Sequence, residues 1–169
     1  MTYLADINVL VALVVIGHVH HPAALRWIDH SGGEVAVCRV AQMGFLRLLT
    51  NARVMGENVV SATKAWDIFA AMFEDPRFVF HPEPTGLEAA WRPASRHPHS
   101  GPNFWTDAYL AAFAYAAGIG IVTFDAALAW WCCRRPPLLH IENVFLFRLG
   151  RLAERRPARR GLRPSDAGA

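Results

Sequence analysis

Short apolar runs alternate along the chain with longer stretches whose apolar residues recur every three or four positions. That is the pattern of buried strands set between amphipathic helices. Tyr3-Leu4-Ala5 reads as a strand ending at Asp6, followed by an apolar helix from Val9 to Ile16 that closes near Gly17. Pro22 suits the first turn of a second helix carrying Leu25, Trp27 and Ile28. Beyond the Ser31-Gly32-Gly33 turn, Val35 to Cys38 reads as a second strand and Val40 to Leu49 as a helix. Ser61 or Thr63 is placed to cap a helix running to Phe73, with Trp66, Phe69, Ala70 and Phe73 on its inner face. Phe78-Val79-Phe80 is a third strand. His81 to Pro102, rich in Pro, His, Ser and Gly, holds one short helix near Leu87 to Trp91. Asn103 or Thr106 opens an alanine-rich helix to Ala117, which Gly118 ends. Ile119 to Thr123 is a fourth strand, Ala126 to Trp131 a short helix, and Leu138 to Ile141 a fifth strand.

Strands alternating with helices predict an α/β fold, a central parallel sheet of about five strands flanked on both faces by helices. The pattern runs to Gly150. Residues 151–169 carry Pro, Gly and Arg without apolar periodicity and are expected to form a disordered tail.

Composition agrees with one domain: 169 residues, 53% hydrophobic and 18% charged, suffice for a core without a disulfide or structural metal. The formal charge of +3 is unevenly placed. Of 17 basic and 14 acidic residues, six arginines and two acids follow Gly150, so the tail carries +4 and the body −1. This excludes a basic body wrapped in nucleic acid and moves the argument to local sites. Cys38, Cys132 and Cys133 make a poor disulfide set, and the first apolar run lacks a basic flank, so a cytoplasmic protein is expected. The longest weakly polar run, Ala108 to Phe124, is interrupted by Gly118 and Gly120 and falls short of the roughly 20 residues that span a bilayer.

Three aspartates fall at chemically telling places. Asp6 and Asp125 follow the first and fourth strands, and Asp107 lies in the first turn of a helix antiparallel to them. All three are therefore expected at the carboxyl rim of the sheet, where open α/β folds hold their ligands. Carboxylates gathered there repel one another unless a cation lies between them, and hard oxygen donors suit Mg²⁺ or Mn²⁺. Phosphodiester hydrolysis is the chemistry that uses such a cluster. The alternative for each aspartate singly is a helix cap.

Asp6-Ile7-Asn8-Val9-Leu10, Gly44-Phe45-Leu46-Arg47-Leu48-Leu49-Thr50-Asn51, Thr106-Asp107-Ala108-Tyr109-Leu110-Ala111-Ala112 and Thr123-Phe124-Asp125 occur in an order and spacing that resembles the PIN-domain family. The likeness is to the VapC-type toxin ribonucleases of bacterial toxin–antitoxin pairs, and it covers about Met1 to Phe147. It implies a three-layer PIN-like fold and a metal-dependent endoribonuclease that cuts single-stranded loops of RNA. It also implies a homodimer held silent by a VapB-type antitoxin. Asp6, Asp107 and Asp125 match three of the family's metal-binding acids. The remaining acid usually stands just before the Gly-Phe-Leu-Arg-like stretch, where this chain has Gln42. Glutamine offers a carbonyl oxygen without charge, so weaker metal affinity or a single-metal site is expected.

Supporting roles are open to Asn8, as a partner of Asp6 or a helix cap, and to Thr123, as a carboxylate partner or a plain strand residue. Arg47 suits a phosphate or acid contact, or else a surface ion pair. Trp105 is the best-placed aromatic for stacking an unpaired base. The clusters His18/His20/His21 and His97/His99 read as solvated loop histidines. Trp130-Trp131 suits a subunit or antitoxin contact. The arginine-rich tail is either a salt-sensitive RNA contact or a solvated extension. Two further readings compete: a weakly catalytic or non-catalytic module that binds RNA or antitoxin, and a phosphotransfer receiver. The receiver lacks its Asp-x-Asp and a lysine near a late strand, and no G-x-x-x-x-G-K or G-x-G-x-x-G supports a nucleotide cofactor.

Overall fold

Five short, mostly apolar runs pair in parallel, and β-strands covered by helices on both faces of such a sheet read as continuous apolar stretches. The structure is a computed structural model and describes residues 1–96, 101–134 and 144–146. The strands are β1 (Thr2–Ala5), β2 (Glu34–Val37), β3 (Phe78–Phe80), β4 (Gly120–Thr123) and β5 (Val144–Leu146), in sheet order β3-β2-β1-β4-β5. The helices are α1 (Ile7–Val14), α2 (His21–Ser31), α3 (Arg39–Leu49), α4 (Ala52–Met55), α5 (Ala62–Met72), α6 (Leu87–Ala94), α7 (Phe104–Ala117) and α8 (Ala126–Arg134). The α/β architecture is as expected, with α4 and the 3₁₀ turn Gly56–Asn58 added between α3 and α5.

The chain first builds outward from β1 through β2 to β3, then returns to place β4 on the other side of β1. The seam between β1 and β4 is therefore the point where the winding reverses, and helices leaving the two strands diverge to open a crevice there. Register brings Leu4 opposite Ile121 and Ala5 opposite Val122, and the Asp6 amide continues the ladder by donating to the Val122 carbonyl at 3.0 Å. Phe45, Phe113, Leu4, Leu10, Leu110 and Ile121 fill the core around this seam. Helix α7, nearly all apolar from Ala108 to Ala114, is buried along that length, and Gly118 ends it with φ 65°.

Helix α3 packs against α1 because position 44 is glycine. A Cβ there would stand 2.2 Å from Cδ1 and 2.8 Å from Cγ1 of Ile7, the first helical residue after Asp6. Ser61 caps α5 as expected, its hydroxyl accepting the Lys64 amide at 3.2 Å. The inner face of α5 is corrected, however. Ala65, Phe69 and Met72 are buried, whereas Trp66 is 52% exposed and Ala70 lies on the outside. The buried stripe is turned one position from the aromatic one, and Trp66 meets Phe69 edge-on at 6.1 Å. Similarly, α3 buries Ala41, Gln42, Phe45 and Leu49 and leaves Met43 exposed. The fifth strand pairs with β4 at Val144–Leu146, later than expected. The expected Leu138 to Ile141 strand, His97, His99, the side chains of Trp130 and Trp131, and the tail 151–169 lie outside what the structure describes.

Candidate active site

Parallel pairing of β1 with β4 sets Asp6 beside Thr123, and the buried Thr123 hydroxyl donates to Asp6 Oδ2 at 2.7 Å. The Thr123 oxygen in turn accepts the Asp125 amide at 2.9 Å. One hydroxyl thus ties the two strand-end aspartates together. Asn8, the second residue of α1, reaches the same Asp6 Oδ2 from its Nδ2 at 3.4 Å. Asp6 occupies the N-cap position of α1 without making a side-chain cap bond, so the cap reading fails there. It succeeds at Asp125, whose Oδ1 accepts the Ala127 and Leu128 amides at 2.7 and 3.4 Å. Among the described residues no donor engages Asp125 Oδ2.

The three aspartates sense one another electrostatically. Burial pushes the Asp107 carboxyl up to about 7, with the charges of Asp6 and then Asp125 adding to it. Asp6 is also raised, chiefly by burial and partly by Asp125, against the opposing Thr123 hydrogen bond. Such a site carries more negative charge than its own hydrogen bonds neutralise. Among the described residues, no group of three or more His, Cys, Asp or Glu side chains is placed so that it could hold a metal ion as it stands. Carboxylate oxygens are hard donors, the chemistry that suits Mg²⁺ or Mn²⁺ better than a softer ion.

Gln42 is 5% exposed, and its Oε1 accepts from the Arg39 guanidinium, which lies 4.6 Å over the Phe80 ring. Its carbonyl oxygen is thus engaged by a cation belonging to the protein. Arg47 is exposed on α3, away from the buried Ala41-Gln42-Phe45 face, and its side chain makes no ion pair among the described residues. Five residues along a helix is about 140° of rotation, which separates Arg47 from Gln42. Trp105 is 64% exposed and borders a different cleft with Trp91, Arg92 and Arg96. Glu83, which sequence reasoning missed, accepts the Tyr109 hydroxyl at 2.8 Å and ties the second turn of α7 to the loop after β3. No spacing rule links a loop position to a helical one so far along the chain.

The histidines also depart from expectation. Half-buried His18 and His20 line a cleft of about 400 Å³ together with Asn8, Phe124 and Asp125. Burial first, then His20 and His21, hold the His18 pKa below its ordinary value. His21 leaves this cleft and bonds the Ala12 carbonyl through Nδ1 at 2.7 Å.

The PIN domain family matches residues 3–129. Ribonuclease VapC41 of Mycobacterium tuberculosis is 42% identical over 130 residues, covering 73% of this chain and 89% of that protein. Ribonuclease VapC39 of the same organism is 39% identical over 132 residues, covering 76% and 92%. Among solved structures, Mycobacterium tuberculosis VapC20, described as a sarcin-ricin loop cleaving toxin, superposes with a TM-score of 0.57 at 22% identity, covering 76% of this chain and 93% of that one. VapBC2 from Rickettsia felis, bound to a DNA fragment from its promoter, gives 0.54 at 15% identity, covering 85% and 97%. Both structural likenesses concern the fold.

Proposed function

The chain belongs to the PIN-domain family, and within it to the VapC ribonucleases; from that premise we propose that it is the toxin of a toxin–antitoxin pair, an endoribonuclease hydrolysing RNA phosphodiester bonds with Mg²⁺ or Mn²⁺. The observation that carries the reading is the Asp125 amide–Thr123 hydroxyl–Asp6 carboxylate chain at the β1–β4 crevice, with Asp107 close enough to be shifted by both acids.

Asp6, Asp125 and Asp107 would hold the cation. When bound, it supplies Lewis acidity toward the phosphate and a more acidic water. The protein's own residues do the positioning. Thr123 fixes Asp6 in one rotamer, and Asn8 holds the same carboxylate oxygen from the other side. Asp125 spends one oxygen on α8 and keeps the other for the crevice. Asp107, half-buried at the start of α7, would complete the cation's shell or orient the attacking water.

Acting on RNA, the protein works in the cytoplasm, as a homodimer silenced by a VapB-type antitoxin. No helix among the described residues is long and apolar enough to cross a membrane. The alternative, a weakly catalytic module that holds RNA or antitoxin, draws on one observation, the uncharged and arginine-engaged Gln42. Incubating antitoxin-free protein with total cellular RNA and Mn²⁺ separates the two. Discrete fragments bearing 5′-phosphates and 3′-hydroxyls support the ribonuclease, and intact RNA that co-purifies with the protein supports the module.

A further inference from the structure

The loop between α1 and α2 lays the His20 ring flat on Phe124, with centroids 4.2 Å apart and planes 10° from parallel. Phe124 is the residue between Thr123 and Asp125. The aromatic layer is therefore attached by one peptide bond to each of two residues of the candidate active site. His18 stands beside it, its ring 5.5 Å from that of His20 and tilted by 51°. Its Nδ1 accepts the His20 amide at 3.1 Å, which leaves the ring proton on Nε2 as a donor. The cleft that these rings border is also lined by Asn8 and Asp125, so it reaches one of the three aspartates and the partner of another.

We infer that the His20–Phe124 layer, with His18 at its edge, is the subsite that receives the nucleotide next to the scissile phosphate of single-stranded RNA. This rests on the ribonuclease reading and deepens it. A base released from its neighbours loses stacking, and a half-exposed flat ring recovers it without regard to sequence. His18 Nε2–H supplies a donor for a phosphate or base oxygen, a polar contact that a purely apolar groove lacks. Proximity to Asp125 favours RNA over a protein partner: a phosphodiester placed at the aspartates brings a flanking nucleotide into this cleft.

The test is steady-state cleavage, with Mn²⁺, of an unstructured single-stranded RNA oligonucleotide that the wild type cuts, with direct binding of the same oligonucleotide followed by fluorescence anisotropy. His20→Leu keeps bulk and removes the flat polar ring; it should raise KM and weaken binding about 5- to 50-fold while kcat changes by less than about two-fold. His20→Phe, which restores a flat face, should recover most of the loss, and its recovery excludes misfolding as the cause. His18→Ala should weaken binding by a smaller factor. Unchanged KM and binding in a folded His20→Leu protein would overturn the subsite and leave the ribonuclease reading intact. Unchanged RNA binding with weakened antitoxin binding would also overturn it, assigning the layer to the partner protein. Wild-type protein that neither cuts nor binds RNA would sink both readings.

Discussion

The Thr123 hydroxyl donates to Asp6 Oδ2 at 2.7 Å across the β1–β4 seam while accepting the Asp125 amide at 2.9 Å. Both aspartates therefore take their position from one buried side chain. Thr123→Val keeps the shape and removes the bridge, leaving the Asp125 amide without its partner and Asp6 with a weaker cradle. A hydrogen bond to a buried charge contributes about 1.5–3 kcal/mol. Denaturant unfolding should show a loss of that order, and kcat on RNA should fall at least about ten-fold on the same grounds. Thr123→Ser, which retains the hydroxyl, should recover most of both.

Asp107 gives the metal-free protein a pH dependence whose sign follows from its shift. Its folded pKa is about 7 against an ordinary 3.8, so the unfolded chain releases this proton first as pH rises. The stability associated with the protonated carboxyl is complete below the unfolded value and is lost between there and the folded value. In EDTA, the melting temperature of wild type relative to Asp107→Asn should therefore fall from pH 5 to pH 8. Taking the difference between the two proteins cancels the titration of the histidines. With Mg²⁺ present the trend should reverse, because the ion competes with the proton.

Gly44 lets α3 lie directly against Ile7 of α1. Gly44→Ala places a methyl 2.2 Å from Ile7 Cδ1, so the two helices must separate or Ile7 must leave its rotamer. Overpacking of this kind costs about 1–3 kcal/mol. Ile7→Val removes the nearest carbon, so the double variant should be more stable than the sum of the single changes, as measured by chemical denaturation.

Gln42→Glu introduces the acid that the PIN family usually carries at this place. The new carboxylate would take the place of the amide oxygen that Arg39 now engages. The Mg²⁺ concentration giving half-maximal cleavage should drop several-fold in the variant. An unchanged requirement would mean that Arg39 keeps position 42 out of the metal site.

Much of this was legible in the sequence because the information was local. Each strand is a short apolar run, and Asp6, Asp125 and Asp107 sit at element ends whose direction follows from parallel pairing. The register that turns proximity into a hydrogen bond was not legible: only the pairing of Ala5 with Val122 brings Thr123 to Asp6. Side-chain rotation explains the other departures. Trp66 lies on a helix that was correctly placed but turns outward, because the small residue Ala65 faces the core there. The histidine loop was misread because its partner, Phe124, is over a hundred residues away in the chain.

The most direct test is RNA cleavage by antitoxin-free wild type and Asp6→Asn, each in EDTA and after restoring Mn²⁺. If the aspartates hold the metal that drives hydrolysis, wild type is silent in EDTA and recovers with Mn²⁺, whereas Asp6→Asn stays at least about a hundred-fold less active in both conditions, a loss on the scale of removing a principal transition-state contact. Cleavage that persists undiminished in EDTA, or in a correctly folded Asp6→Asn protein, would contradict the account.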